Sequence, residues 1–176
     1  MTLKTNEYFY HITAKTIKDQ WLEADMPKVW NAACQSLSLA AHECEVLISQ
    51  FVLMSNHYHL TLRTPKSNID YFMFLYTDYF NFLLEKDSFN HKFHWSLIKN
   101  SKQFQQVFTY IYQNPVSAKI AFKSHDYLYS TYHYTYNHLK LPFPLCRLKH
   151  FENNLQESKY DLFLSQVDER IAIEHI

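Results

Sequence analysis

A chain of 176 residues without a single glycine has few inexpensive ways to reverse direction. Positive φ costs little for glycine alone, and Asn and Asp are the next most tolerant residues. Tight turns are therefore expected at asparagines, with Asn56, Asn90, Asn100 and Asn153 as the punctuation.

The length and a 47% hydrophobic content allow one proper core, hence one domain with a modest appendage. No apolar run reaches the roughly eighteen residues of a membrane span. The N-terminus, MTLKTNEYFYHITAKT, lacks the basic region, apolar stretch and cleavage site of a signal peptide. A cytoplasmic protein with no membrane partner is expected. Cys34, Cys44 and Cys146 are odd in number and lack CxxC spacing, so they read as buried thiols rather than disulfides or a zinc knuckle.

The formal net charge of zero argues against a protein that coats duplex DNA by bulk electrostatics. Charge is nevertheless uneven. Residues 86 to 124 carry six lysines and one aspartate, whereas residues 150 to 176 carry one lysine and one arginine against six acidic residues. The middle of the chain can face phosphate; each charge set can equally just solvate a surface.

Periodicity orders the elements. YFYHITA over 8–14 is β-rich and predicts a first strand. Pro27 starts a helix in which Trp30, Cys34, Leu37, Ala41 and Cys44 recur at helical spacing. Val46 to Met54 and His57 to Thr64 predict a β-hairpin through Ser55-Asn56. Ser67, with Asp70 three residues on, is expected to cap a second helix running to about Glu85. Lys92 to Lys99 predicts a fourth strand. Ser101 is expected to cap a third helix with an apolar stripe of Phe104, Val107, Phe108 and Ile111, ended or kinked by Pro115. The order βαββαβα predicts an α+β fold, a ferredoxin-like antiparallel sheet with helices packed on it. A last amphipathic helix carrying Tyr160, Phe163, Leu164, Val167 and Ile171 is expected to brace the core.

Two groups of residues could do chemistry. Alternation on the third strand sends Tyr58, Leu60 and Leu62 one way and His57, His59, Thr61 and Arg63 the other. Two imidazoles two residues apart can then reach one ion, or can simply be solvated and hydrogen-bonded. On the third helix, Tyr110 falls on one shoulder of the apolar stripe and Asn114 on the same shoulder one turn later. That pair offers a nucleophile beside an amide-oxygen ligand, or an amphipathic boundary. Tyr112 points to the opposite shoulder.

FVLMSNHYHLTLRTP, followed by YIYQNPVSAKI and YLYSTYHYTY, resembles the REP-associated and other single-tyrosine transposases of the His-hydrophobic-His class. YHIT and FNHKFHWSLIK also look like that family's first and fourth strands. The resemblance spans about residues 8 to 134. It implies a catalytic domain over 1–134 and a C-terminal extension over 135–176. It also implies His57 and His59 as metal ligands, Asn114 as a third, Tyr110 as nucleophile and Mg2+ or Mn2+ as the ion. The implied substrate is single-stranded DNA, hairpin-forming, joined to the protein as a 5′-phosphotyrosine. The chemistry of imidazole alone leaves zinc open.

Tyrosine ordinarily ionises near pH 10, so such a nucleophile needs help from the metal or from lysines, with Lys102 and Lys119 as candidates. Arg63, Lys92, Lys102 and Lys119 are the candidate DNA contacts. The family's arginines on the second helix and fourth strand are missing here, which leaves two other readings open. One is a domesticated or decayed binder of structured single-stranded DNA; the other is a dimerising protein. Tyr71, Phe74, Tyr79 and Phe82 are expected in the core or at a homodimer contact, ahead of base stacking.

Overall fold

The computed structural model describes residues 8–22 and 25–146. β1 (Phe9–Lys15), α1 (Met26–Cys44), β2 (Leu47–Leu53), β3 (His57–Arg63), α2 (Ile69–Leu84), β4 (His94–Ile98), α3 (Ser101–Ser117) and the short α4 (Thr131–Tyr136) follow one another along the chain. The sheet order is β2-β3-β1-β4 and every pairing is antiparallel. Two split β-α-β units interlock in this way, which is the ferredoxin-like α+β arrangement.

Both faces of the sheet are covered, and this decides what the histidines experience. Tyr10, Ile12, Tyr58, Leu60 and Leu62 pack with Val29, Leu37, Phe72 and Tyr76 of α1 and α2 in the main core. Phe9, Val52 and Ile98 on the opposite face pack with Phe104, Phe108 and Ile111 of α3. A strand with one apolar and one polar face was therefore only half the picture, because α3 also dries out part of the polar side. Thr61 and Gln50 are fully buried there. The Gln50 amide donates to the Phe108 carbonyl at 3.1 Å and accepts from the Thr61 hydroxyl at 3.1 Å. Register against β3 shifts between Ile48 and Gln50.

The chain turns at Ser55-Asn56 between β2 and β3 as expected, but positive φ does not fall on the asparagines. Positive φ occurs at Lys18, Asp19, Glu45, Ser67, Glu85, Lys119 and His138, and at no asparagine among the described residues; Asn153 lies outside them. Glu45 and Glu85 occupy the left-handed positions that close α1 and α2, where glycine is usual. The asparagines instead use their side chains. Asn100, in extended conformation, caps α3 by accepting from the Gln103 amide, so Ser101 is the first helical residue and not the cap. Asn90 accepts from the Lys92 amide. Ser67 is likewise no cap; α2 begins after Asn68, whose amide donates to the Cys44 carbonyl.

α3 runs through Pro115 to Ser117 rather than ending there. Proline removes one N–H from the ladder, a loss tolerable this close to the C-terminus. Cys34 and Cys44 are buried thiols as read, whereas Cys146 is only half-buried. The expected helix around Tyr160 to Ile171 lies outside the described residues. Among the described residues no helix is long and apolar enough to cross a membrane.

Candidate active site

β3 and β1 pair with Thr13 opposite His59 and Lys15 opposite His57, so His11, Thr13 and Lys15 share the face of the two β3 histidines. Three imidazoles gather there. His11 Nε2 lies 3.1 Å from His59 Nδ1 with the rings stacked at 5.3 Å, and His57 stands edge-on to His59 at 5.1 Å. α3 crosses above them, and the Tyr110 ring meets His59 edge-on at 5.6 Å and His11 at 6.2 Å. Tyr110 is 54% exposed whereas Tyr112 is buried, stacked on Tyr132 and hydrogen-bonded to Thr131. The two tyrosines of YIYQNP thus serve different ends.

The hydrogen bonds leave a definite pair of nitrogens unspent. His57 Nδ1–H donates to the side-chain oxygen of Asn56 at 2.7 Å, which directs its Nε2 lone pair outward. Nδ1 of His59 is engaged by His11, and its Nε2 is buried without a partner among the described residues. Burial, then the neighbouring imidazoles of His11 and His57, push His59 down to about 3. Burial and the Lys15 ammonium lower His57, with Asp19 opposing, and burial lowers His11. Neutral imidazoles with free Nε2 are the form that binds a metal.

These donors fit an open cation site. Among the described residues no group of three His, Cys, Asp or Glu side chains is arranged around one ion. Two imidazoles without a carboxylate or thiolate do not make the closed tetrahedral set of structural zinc. They suit an ion that takes its remaining ligands from amide, phosphate and water oxygens. Asn114 sits one turn beyond Tyr110 and donates its amide to the Tyr110 carbonyl at 2.8 Å, which leaves its side-chain oxygen as an acceptor.

The expected cations stand apart from this group. Arg63 is half-buried at the other end of β3 from His57, ~20 Å along the strand. Lys92 is exposed and precedes β4 instead of lying in it. Lys102 lies in the first turn of α3, and exposed Lys119 follows its end. Lys15, paired with Asp19 at 3.2 Å, is the lysine among the described residues whose charge acts on His57. The sequence points to Asn56 only as a turn residue and does not single out His11 or Lys15; for those two the alternation of YHITAK is the signal, once its register against β3 is known.

Of the four α2 aromatics expected in the core or at a homodimer contact, Tyr79 packs against the main core and the other three lie outside it. Tyr71, Phe74 and Phe82 are exposed, and Tyr79 is half-buried. Tyr71 and Tyr79 both donate to the Glu43 carboxylate, and Phe74 stacks on His91. The core face of α2 is Ile69, Phe72, Met73, Tyr76, Thr77 and Phe80.

The sequence matches no protein-family model. It also matches no curated protein. Among solved structures it is similar to a REP-associated tyrosine transposase bound to a REP hairpin, with a TM-score of 0.67 and 16% identity. That likeness covers 89% of this chain and 98% of the other, so the chain has the fold of that transposase over nearly its whole length.

Proposed function

We propose that the chain is a metal-dependent endonuclease and strand transferase that cuts hairpin-bearing single-stranded DNA in the cytoplasm, with Tyr110 as nucleophile. The observation that carries this reading is the 5.6 Å approach of the half-exposed Tyr110 ring to His59, whose Nε2 is uncommitted. The fold it shares with a hairpin-bound tyrosine transposase supports the same class of substrate. His57 and His59 would hold Mg2+ or Mn2+, with the Asn114 side-chain oxygen as a third protein donor. When bound, the ion polarises the scissile phosphate as a Lewis acid.

Tyr110 contributes the attacking oxygen from a rigid helix open to a strand. A Tyr110 O–P bond forms, the bond from phosphorus to the 3′ oxygen breaks, and the departing oxygen ends as a free 3′-hydroxyl after taking a proton. The DNA is left as a 5′-phosphotyrosine. Because the phosphodiester is conserved in that linkage, another 3′-hydroxyl can reverse the step without ATP. Gln50 and Thr61 keep α3 seated on the sheet, and so keep Tyr110 over the histidines.

Incubation with Mn2+ or Mg2+ and varied hairpin-bearing strands should break the DNA, leaving free 3′-hydroxyl ends, and a chelator should stop it. Intact DNA throughout counts against the enzyme. A second reading, a binder that no longer cuts, is favoured by the outer face of α2, which presents Tyr71, Phe74, Asp78 and Phe82 without a cation. Hairpin binding indifferent to chelator, with no strand break, would select it.

A further inference from the structure

Lys15 ends β1 on the face that carries the histidines, directly across the strand pair from His57. Residues opposed in an antiparallel pair hold their Cβ atoms about 4.5–5.5 Å apart. The ammonium is thus a close neighbour of the His57 imidazole, and its charge helps to lower that group. Along the rest of the face Thr13, Thr61 and Ser96 supply hydroxyls and His94 an imidazole, and Arg63 stands at the far end of β3. Lys15 is the cation placed beside the histidine pair.

Its partner in the free chain is an acid. The Asp19 carboxylate meets the Lys15 ammonium at 3.2 Å, with the two side chains 61% and 66% exposed. An ion pair so open to water is weak, and a phosphate can displace the carboxylate.

Asp19 is nevertheless held in place by its backbone. Lys18 and Asp19 take left-handed conformations in succession, with φ of 58 and 54. The Asp19 N–H donates to the Thr16 carbonyl at 3.1 Å, and the Ile17 N–H donates to the Ser88 carbonyl at 2.9 Å. This turn brings the carboxylate back onto the end of β1. Its charge bears on His57 as well, opposing that of Lys15. One anionic group therefore acts on both Lys15 and a candidate metal ligand, as the charge of a phosphate at the histidines would.

We propose that Lys15 is a phosphate-binding residue of the candidate active site, gripping the DNA phosphate that His57 and His59 receive, and that Asp19 is the internal anion this phosphate displaces. The inference rests on the reading that the histidine and Tyr110 face handles DNA phosphate. Lysine suits the part, because a compact charge with three donors on a flexible stem can swing from a carboxylate to a phosphate oxygen without moving the strand.

The test is fluorescence anisotropy of the full chain with a labelled hairpin-bearing single strand over a series of salt concentrations, at fixed Mn2+ and in a Tyr110→Phe background so that the strand stays whole. Lys15→Gln should lower the slope of log affinity against log salt by about 0.7, the share of one phosphate contact on a single strand. Lys28→Gln, on α1 across the sheet from the histidines, should leave the slope unchanged. Asp19→Asn keeps a residue that tolerates the left-handed backbone, and it should tighten binding about 1.4- to 5-fold, the equivalent of ~0.2–1 kcal/mol for an exposed ion pair. That gain should shrink when Lys15→Gln is also present. An undiminished slope in Lys15→Gln, an equal fall in Lys28→Gln, or an Asp19→Asn gain that is absent or just as large without Lys15 overturns the assignment. Mn2+-dependent cutting of the same strand by the unmodified chain separates this from the parent reading. Cutting with an undiminished slope removes the role of Lys15 alone, and the slope change without cutting removes the nuclease alone. Failure to bind any hairpin removes both.

Discussion

His11 Nε2 and His59 Nδ1 lie 3.1 Å apart, and this contact engages Nδ1 and leaves Nε2 as the nitrogen of His59 without a partner among the described residues. One of the two facing nitrogens must carry the proton. If it is His59 Nδ1, the ring is in the tautomer a cation requires at Nε2. His11 is thus a positioning residue for His59.

His11→Ala should therefore weaken Mn2+ binding about 10- to 100-fold, the usual cost of removing a ligand's supporting partner. Calorimetric titration of the full chain with Mn2+ reads this directly. Equal affinity in the variant would reduce His11 to a packing residue.

Acid should destabilise the fold earlier than carboxylate titration alone would. His59 is held down to about 3, below the ordinary value of 6.5. Above pH 6.5 both folded and unfolded chains have it neutral, and the stability is fully present. As pH falls below 6.5 the unfolded chain takes up a proton that the folded chain refuses, so stability declines, by about 1.4 kcal/mol per pH unit from this group. Urea denaturation between pH 7 and pH 5 should show at least that slope, and His59→Gln should lessen it, the lowered His11 and His57 keeping the remainder. A flat profile in the unmodified chain would contradict the burial assigned to this imidazole.

Gln50 ties the sheet to α3 at the Phe108 carbonyl, two residues before Tyr110. Gln50→Leu leaves the buried Thr61 hydroxyl without its acceptor, at a cost of about 1–3 kcal/mol. Urea denaturation should show that loss, and adduct formation should slow with it. A variant as stable as the parent would mean that another group satisfies Thr61.

A glycine-free chain closes its helices at the expense of strain, so one substitution should stabilise it. Glu85 holds φ 54 and ψ 28 at the end of α2. Glu85→Gly relieves about 1–2 kcal/mol of left-handed cost against a smaller loss of unfolded-state restriction. The melting temperature should rise by a few degrees, and a fall would show that the Glu85 side chain contributes more than its backbone costs.

Element identity was largely legible because the periods were clean. Pro27 opened α1, the two apolar runs around Ser55-Asn56 gave the hairpin, and the βαββαβ order led to the sheet. What could not be read was sidedness. β3 alternates as if one face were wet, yet α3 covers that face and buries His59 and Thr61. α2 is apolar almost all round, so its sequence does not say that Phe72 and Tyr76 face inward while Phe74 and Phe82 face out. His11 belongs to the site only through the register of β1 on β3, a long-range fact absent from local pattern. The turn residues misled for a physical reason: asparagine side chains were worth more as caps and acceptors than as tolerant backbones.

The meeting of Tyr110 with the His57 and His59 pair is what the proposed chemistry depends on. The direct measurement is denaturing electrophoresis of the full chain after incubation with Mn2+ and a labelled hairpin-bearing strand. A label that migrates with the protein, and that disappears in Tyr110→Phe and in His57→Ala, is expected. An adduct that persists in Tyr110→Phe, or no adduct with any hairpin tried, would contradict the assignment of Tyr110 as the nucleophile.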